Sequence, residues 1–455
     1  MLKIINPAND QLVSEVSEDS PDTIAEKYRL TRQNQPAWAA LPLRSRIKII
    51  ENFGALLNEQ RDRLAKILTA EMGKPITQSL AEISGVQKRI EFFTAQVKNI
   101  TNPETVHTAP GVEEIVSRPP LGVIANISAW NYPYFVGSNV FIPALLTGNG
   151  VLYKPSEYAT LSGIEIEHLF IEAGLPAGVL SSIIGGRDSG VQLLKQDIDG
   201  LFFTGSYATG LSIARAVADK LIPLQLELGG KDPTYVCDDA NIENAARSTA
   251  DGAFYNCGQS CCSVERIYVH EAIYEQFIEV FVDNVSGFIS GDPMDERTYI
   301  GPLAQRSQLN KLKTQIDDAT KKGAQIVCGG RHRKGLGNYF MPTVLTHVDS
   351  SMDVMREESF GPVIGIQKVS HDNEAIQQMN DSPYGLTAGV YSEDRARAEN
   401  ILLQLESGSV YWNCCDRISP HLPWSGQKNS GLGATLGSDG IRAFTRLKAW
   451  HFIAP

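Results

Sequence analysis

A turn with two adjacent cysteines holds the strongest candidate nucleophile of this sequence. The turn is the segment GQSCC at 258–262, between a helix predicted over 241–256 and a strand predicted over 264–269. A thiol in a tight turn can be exposed, and backbone dipoles or a nearby base can activate it. Because most free cysteines are small buried hydrophobes, we assign that ordinary role to Cys262 and the reactive role to Cys261.

A carboxylate and an amide at predicted strand ends could assist such a thiol. Glu227 ends the strand predicted over 224–228, where a carboxylate beside a thiol and a water can act as a general base. Asn131 follows the strand predicted over 121–127, and its side-chain amide could donate to a developing oxyanion. The ordinary alternative for Glu227 is a helix-capping or solvated acid, and that for Asn131 is an aromatic turn that caps the following helix. The eight histidines are scattered and none is near the cysteine turn in sequence, so a cysteine–histidine hydrolase stays open only through contacts made in the fold.

Two turns could bind parts of a nucleotide. Gly205 and Ser206 follow the strand predicted over 201–203, where free backbone N–H groups at a helix N-terminus can hold a pyrophosphate. Glu358 and Phe360 offer a carboxylate for a ribose and an aromatic face for a flat ring. Since the first turn is not a GxGxxG, a packing turn is its ordinary alternative. The second turn could equally be an acidic turn before a strand.

A third turn bears on the choice of nucleotide. Lys154 and Glu157 follow the strand predicted over 151–153. A carboxylate in that place accepts the hydroxyls of an adenosine ribose and repels a 2′-phosphate, which favours NAD over NADP. An exposed turn with an ordinary ion pair is the alternative.

The elements that must position these residues follow two patterns. The first hundred residues are predicted to be helical, with an amphipathic helix over 44–71 that ends at Gly73 and Pro75, and another helix over 76–98. From residue 121 short apolar strands alternate with helices, and a similar series runs from about 234 to 410. This alternation predicts parallel, doubly wound sheets with functional loops at the strand ends.

Composition limits the kind of protein. A chain of 455 residues usually forms two or three domains, and 42% hydrophobic with 20% charged residues excludes a disordered or fibrous chain. The net charge of −11 argues against nucleic acid as a partner. We also expect no membrane partner, because the most apolar stretch, 135–147, is too short and is interrupted.

Cysteine usage and the N-terminus bear on location. Seven cysteines without a CxxC pair fit neither a disulfide framework nor a zinc ribbon, and we expect no metal site. The first residues lack the apolar core of a signal peptide. We therefore expect a cytoplasmic protein.

Eight short motifs occur in one order along the chain. They are Trp130-Asn131-x-Pro133, Lys154-Pro-x-Glu157, Phe203-Thr-Gly-Ser206, Glu227-Leu-Gly-Gly-Lys231, Gly258-Gln-x-Cys261, Glu358-x-Phe360-Gly-Pro, Asn380-x-x-x-Tyr384-Gly-Leu386 and Pro423-Trp-x-Gly426-x-Lys428-x-Ser430-Gly431. A chance match to one motif is common, but eight in order are not. Over essentially the whole chain they resemble the NAD(P)-dependent aldehyde dehydrogenase superfamily.

The resemblance implies roles in catalysis. Cys261 would attack the aldehyde carbon and form a thiohemiacetal, while Asn131 and the Cys261 backbone N–H hold the oxyanion. Hydride would pass to NAD and leave a thioester, and Glu227 would activate the water that hydrolyses it. The residues implied to bind NAD are Lys154 and Glu157 at the adenosine ribose, Trp130, Gly205 and Ser206 at the adenine and pyrophosphate side, and Glu358 and Phe360 at the nicotinamide ribose and ring.

The resemblance also implies an α/β architecture. It consists of two doubly wound α/β domains, a Rossmann-like NAD-binding domain (1–102 and 123–228) and a catalytic domain (229–435), plus a β-hairpin oligomerisation arm (103–122 and 436–455). The proline-rich stretch 101–120 fits such an arm. A homodimer or a homotetramer follows.

Three positions depart from the superfamily pattern. Many hydrolytic members carry a lysine nine residues after the oxyanion asparagine and a glutamate just before a Leu-Gly pair. Here these positions are Val140 and Thr435, and Ala129 stands where proline usually precedes the tryptophan. Glu227 must then lose its proton by another route, or thioester hydrolysis is slow.

Substrate preference follows from other positions. Succinate-semialdehyde dehydrogenases commonly carry arginines at the positions of Asn139 and Tyr255, and this sequence has neither. Arg417 could replace them, although a surface arginine is the simpler interpretation.

Aromatic residues near the motifs, Tyr132, Tyr134 and Trp424, suggest an apolar or aromatic entry tunnel. We therefore expect a small-molecule substrate that is a neutral medium-chain or aromatic aldehyde. The alternatives are a semialdehyde dehydrogenase specific for an acidic substrate, or a homologue that kept the fold for binding or structure and lost activity.

Overall fold

The computed structural model describes residues 1–454 and begins with a small antiparallel pair and four helices. Their bounds are β1 Leu2–Ile5, β2 Leu12–Val16, α1 Pro21–Ala40, α2 Leu43–Glu59, α3 Arg61–Met72 and α4 Ile76–Thr101. Ser20 caps α1 by accepting a hydrogen bond from the Thr23 N–H, and Gly73 ends α3 with φ of 82°. The single helix predicted over 44–71 is wrong in detail, because α2 and α3 meet at Gln60, whose ψ of 11° leaves the helical range.

A β-hairpin follows α4, as the proline-rich stretch predicts. Strands β3 (Glu104–Ala109) and β4 (Val112–Ser117) are antiparallel and turn at Pro110 and Gly111. Glycine suits this turn because its φ is 76°.

The first large sheet contains five parallel strands with helices between them. The bounds are β5 Val123–Ile127, α5 Pro133–Leu146, β6 Gly150–Lys154, α6 Thr160–Glu172, β7 Leu180–Ser182, α7 Arg187–Lys195, β8 Gly200–Thr204, α8 Tyr207–Val217 and β9 Leu224–Glu227. The spatial order is β9-β8-β5-β6-β7, so the chain winds outwards in both directions from β5. The loops after β5 and β8 flank this reversal point, where open α/β sheets bind ligands.

The second large sheet repeats the alternation. Its elements are β10 Pro233–Val236, α9 Ile242–Phe254, β11 Arg266–His270, α10 Tyr274–Ser286, α11 Arg306–Lys321, β12 Gln325–Cys328, β13 Thr343–Thr346, α12 Asp353–Arg356, β14 Val363–Val369, α13 Asp372–Asn380, β15 Tyr384–Gly385, β16 Thr387–Tyr391, α14 Arg395–Leu402 and β17 Ser409–Trp412. The strand order is β12-β13-β14-β11-β10-β16-β17. Only β12 runs antiparallel to its neighbour. Strand β15 lies outside this sheet.

The last part of the chain returns to three earlier elements. Its bounds are β18 Gln427–Lys428, β19 Gly431–Leu432, α15 Gly437–Arg442 and β20 Lys448–Ile453. Strand β18 pairs with β15, β19 pairs antiparallel with β9, and β20 pairs antiparallel with β4. Pro455, the last residue of the predicted arm, lies outside the described residues.

Two parallel sheets in a mixed α/β chain confirm the predicted fold class. Both faces of the first sheet are covered, with Ile124, Phe141 and Phe170 in one core and Val123 and Leu201 in the other. Burying each such side chain contributes about 1.5–3 kcal/mol, so these cores fix the strand ends that carry the site. No helix within residues 1–454 is long and apolar enough to cross a membrane.

Candidate active site

A cleft of about 870 Å³ opens at the carboxyl ends of the first sheet and faces the second. Every residue predicted for catalysis or NAD binding lies on its wall. These are Trp130, Asn131, Lys154, Glu157, Gly205, Ser206, Glu227, Cys261, Glu358 and Phe360. These residues are spread from 130 to 360 in the sequence. The parallel strands bring them together in space, because the strand ends meet at one edge.

One half of the cleft is built from strand-to-helix turns. Ser206 caps α8, and its hydroxyl accepts a hydrogen bond from the Thr209 N–H at 3.4 Å. The α8 N-terminus therefore lies in the wall, where its unpaired N–H groups and dipole favour a phosphate. Lys154 ends β6, and burial lowers the pKa of its ammonium group. Glu157 lies in the turn that follows.

Two glycines give this half of the cleft its shape. A Cβ at Gly205 would lie 2.5 Å from the Phe203 ring, and one at Gly229 would overlap the Glu358 carboxylate. Glycine at both places lets the chain approach closely without a side chain in the groove. The residues present therefore fit a dinucleotide.

Opposite the turns stands an aromatic pair. The rings of Trp130 and Phe360 meet edge to face, with centroids 5.5 Å apart. Phe360 has φ of 50°, and Glu358, two residues earlier, accepts a hydrogen bond from the Gly230 N–H at 3.2 Å. Burial raises the pKa of Glu358 to about 7.

The turn that carries Cys261 is unusually tight. Asn256, Cys257 and Gly258 all have positive φ, of 53°, 57° and 69°. A side chain at Gly258 would overlap the carbonyl oxygen of Gly361, so only glycine fits there. Cys261 lies half-buried on the cleft wall, whereas Cys257 beside it in the turn is buried.

Asn131 lies against this turn. Its Nδ2 donates a hydrogen bond to the carbonyl oxygen of Gln259 at 3.1 Å, and its Oδ1 accepts one from the Tyr132 N–H at 3.1 Å. The amide of the predicted oxyanion residue is thus held two residues from the predicted nucleophile.

Glu227 ends β9 and lies on the wall of the same cleft. Its Oε1 accepts a hydrogen bond from the hydroxyl of Thr435, the residue at one of the positions that depart from the superfamily pattern. Burial raises the pKa of this carboxyl to about 7. A carboxyl group with a pKa near neutrality can both accept and release a proton at working pH.

An acid that sequence reasoning missed lies behind the cysteine pair. Asp416 Oδ1 accepts hydrogen bonds from the Ser260 hydroxyl at 3.0 Å and from the Cys262 thiol at 2.9 Å. The neighbouring Cys261 and burial raise the pKa of Cys262 well above its usual value. Asp416 follows β17, and no motif marks it.

The side chains of the described residues form no cluster of metal ligands. Among residues 1–454, no group of three or more His, Cys, Asp or Glu side chains is arranged to hold a metal ion.

A family model described as "Aldehyde dehydrogenase family" matches residues 1–450. The chain belongs to the aldehyde dehydrogenase family. The chloroplastic betaine aldehyde dehydrogenase of Beta vulgaris is 34% identical over 98% of this chain and 92% of its own length.

Two solved structures of similar proteins share the fold. An NADP-dependent enzyme of E. coli has a TM-score of 0.96 at 32% identity, over 99% of this chain and 94% of that chain. A betaine aldehyde dehydrogenase of Staphylococcus aureus in complex with NAD⁺ has a TM-score of 0.95 at 31% identity, over 99% of this chain and 92% of that chain. The resemblance drawn from the eight motifs is confirmed.

Two of the departures from the family pattern occupy defined places. Val140 lies buried in α5 and packs in the core. Thr435 is buried and donates to Glu227, so a neutral hydroxyl contacts the carboxylate where many members carry a charged group. The structure assigns no second carboxylate to a proton relay at this position.

An arginine does lie beside Asn139, although it comes from a different helix than the family pattern suggests. Arg89 on α4 donates from Nε to Asn139 Oδ1 at 2.8 Å, and its guanidinium carbon lies 3.9 Å from the centroid of the Phe135 ring. Arg89 is buried, whereas Arg417 is exposed. Nothing in the sequence links Arg89 to Asn139, because the two are fifty residues apart.

Proposed function

We propose that this chain oxidises a neutral aldehyde to a carboxylic acid with NAD as the hydride acceptor. One observation carries the proposal. Cys261, Asn131 and Glu227 line the same cleft as the turns that fit a dinucleotide. A scaffold without activity has no physical need for a thiol, an amide donor and a near-neutral carboxyl group at one place.

Covalent capture of the aldehyde is the task of Cys261. Its sulfur forms a bond to the carbonyl carbon, and the carbonyl π electrons move to the oxygen. The second N–H of Asn131 Nδ2 and the Cys261 backbone N–H would donate to that oxygen. Donors placed in advance at a developing oxyanion contribute several kcal/mol to the barrier reduction.

The dinucleotide is placed by residues of the other half of the cleft. NAD, when bound, accepts the hydride from the former aldehyde carbon. Lys154 and Glu157 would hold the adenosine ribose, and Gly205 and Ser206 with the α8 N-terminus would hold the pyrophosphate.

Glu227 completes the sequence by removing the acyl group. Its carboxylate accepts a proton from a water, and the water oxygen bonds to the thioester carbon. The carbon–sulfur bond then breaks, which releases the carboxylic acid and restores Cys261. The balance is one aldehyde, one water and one NAD⁺ converted to one acid, one NADH and one proton.

Glu157 supports a preference for NAD over NADP. Its carboxylate in the turn after β6 would repel a 2′-phosphate. We expect kcat/KM to be higher with NAD than with NADP, measured with the same aldehyde. Glu157→Gln should narrow that ratio, and a wild-type preference for NADP would contradict this part of the proposal.

The substrate class is tested with a panel of aldehydes. We expect turnover of hexanal or benzaldehyde, followed by the absorbance of NADH. The panel should include betaine aldehyde, because relatives carry that name, and succinate semialdehyde, because Arg89 lies beside Asn139. A strong preference for succinate semialdehyde would favour the acidic-substrate alternative. No turnover of any member would favour the inactive homologue.

We also infer a homodimer or homotetramer and a cytoplasmic location. Exposed apolar side chains on β20, among them Trp450, Phe452 and Ile453, support an assembled arm. Seven free cysteines support a reducing compartment. Light scattering of the purified protein and fractionation of cells would test the two inferences.

A further inference from the structure

A lysine and a glutamate lie fully buried directly behind the Asn131 loop. The side chains of Lys74 and Glu82 are 0% and 1% exposed, and Nζ of the lysine donates to Oε2 of the glutamate. Taking two charges out of water is costly, so such a pair is tolerated only where further polar partners satisfy both groups. Neither residue lines the cleft.

Both charged groups bond to the backbone that follows β5. Lys74 Nζ donates to the carbonyl oxygen of Asn131 at 2.7 Å and lies 3.8 Å from the centroid of the Tyr132 ring. Glu82 Oε1 accepts a hydrogen bond from the Tyr134 N–H at 2.9 Å. The pair therefore fixes the loop on one side and the first turn of α5 on the other.

The same carbonyl connects the loop to the nucleophile turn. Asn256 Nδ2 donates to the carbonyl oxygens of Asn131 and Gln259, both at 3.2 Å. The Asn256 N–H donates in turn to Gln78 Oε1 at 2.9 Å. Together with the bond from Asn131 Nδ2 to Gln259, these contacts close a ring of hydrogen bonds around the Asn131 side chain.

We propose that Lys74 is a positioning residue, which holds the Asn131 amide against the cysteine turn through the Asn131 carbonyl group. The inference rests on the proposed function, because the amide position matters only if an oxyanion forms beside Cys261. Gln78 and Glu82 lie one turn apart on one side of α4, and Lys74 lies in the short connection between α3 and α4, two residues before α4 begins. Residues at the start of a rigid helix and just before it thus set the position of a loop side chain.

A second buried pair on the other wall provides a matched comparison. Lys231 Nζ donates to Glu265 Oε2, and Glu265 accepts hydrogen bonds from the backbone N–H groups of Ser359 and Phe360, both at 2.9 Å. This pair holds the segment that contains Phe360, on the cofactor side. Loss of either pair removes the same kind of buried contact, but at a different part of the cleft.

The test replaces each pair by neutral side chains. Lys74→Met together with Glu82→Gln removes the donor to Asn131 and both charges of the pair. We expect kcat for the aldehyde to fall about 100-fold, the cost of displacing a catalytic group by about 1 Å. The KM for NAD should stay within about threefold of wild type, because the cofactor residues keep their supports.

Alkylation by iodoacetamide distinguishes positioning from general damage. This reaction uses the Cys261 thiol but forms no oxyanion, so its rate should match that of the wild-type enzyme. The comparison variant, Lys231→Met with Glu265→Gln, should instead raise the KM for NAD about tenfold or more.

Each outcome decides between the possibilities. A Lys74→Met/Glu82→Gln enzyme with wild-type kcat would overturn the inference. So would slowed alkylation, identical defects in the two double variants, or a variant that does not fold, since each points to a general structural role. A wild-type enzyme that oxidises no aldehyde would instead overturn the proposed function.

Discussion

At the residue scale, Glu227 combines burial with a hydrogen bond from the hydroxyl of Thr435. Burial raises the pKa of this carboxyl group to about 7. A general base must be deprotonated, so protonation below that value removes it. We expect kcat to fall about tenfold per pH unit below about pH 7 and to level off above it, measured with saturating aldehyde and NAD. A kcat that does not fall below about pH 7 would contradict the assignment of Glu227 as the general base.

Glu227→Gln separates the two halves of the reaction. The amide cannot accept a proton from water, while Cys261 and Asn131 keep their places. We expect a rapid burst of NADH of one equivalent per active site, followed by almost no turnover. The exposed Glu243→Gln serves as the control and should retain the full steady-state rate. An unchanged rate in Glu227→Gln would remove this residue from the mechanism.

The nucleophile itself is tested by Cys261→Ser. A hydroxyl is a far weaker nucleophile than a thiolate at neutral pH, so NADH production should fall at least about 1000-fold. Cys328→Ser on β12, distant from the cleft, controls for the loss of a thiol. Full activity in Cys261→Ser would make the assignment wrong.

The ten candidate residues, chosen by residue type and by position at predicted strand ends, all lie on the wall of one cleft. Residue type and strand position do not predict which distant segments of the chain contact each other. Thr435 and Glu227 are 208 residues apart, and Asp416 meets Ser260 across 156. Such contacts depend on how β19 and the loop after β17 pack. That packing leaves no trace in local periodicity.

At the scale of elements, five parallel strands match their predicted bounds to within two residues, namely those predicted over 121–127, 151–153, 201–203, 224–228 and 264–269. Their apolar runs are short and end at turn residues, as buried strands do. The break between α2 and α3 was missed because the apolar spacing continues across Gln60. The two-residue strand β19 was missed as well, since Gly431 and Leu432 are too few to form a pattern.

The cysteine turn makes a prediction about its glycine. Gly258→Ala would place a methyl group on the Gly361 carbonyl oxygen at φ of 69°, which should lower the free energy of unfolding by about 3 kcal/mol. Gly174→Ala, at φ of 96° with open space around it, carries backbone strain alone and should cost about 1 kcal/mol. Chemical denaturation measures both. Equal losses would show that the overlap with Gly361 is relieved at no cost.

At the scale of the whole molecule, the arm makes a prediction about assembly. Strand β20 carries Trp450 and Phe452, which stack with centroids 6.1 Å apart and are partly exposed. Phe452→Asp should shift the protein to a smaller species in light scattering, because a buried charge without a partner weakens an interface. Lys448→Ser, on the same strand, should leave the mass unchanged. An unaltered mass of the Phe452→Asp variant would show that the arm does not contribute to oligomerisation.

The short strand β19 joins parts of the chain that lie far apart in sequence. After contributing to the second sheet, the chain crosses back, and Gly431 pairs with Glu227 at the edge of the first sheet. The carbonyl oxygen of Ser430 accepts from the Leu228 N–H just after β9, and its hydroxyl accepts from the Gly385 N–H on β15, two residues before β16 of the second sheet. Strand β19 and Ser430 thus connect the first sheet to the segment that leads into the second sheet, beside Glu227. We therefore expect the two sheets to unfold in a single calorimetric transition on heating. A protease cut near Ser430 should abolish activity before either sheet unfolds.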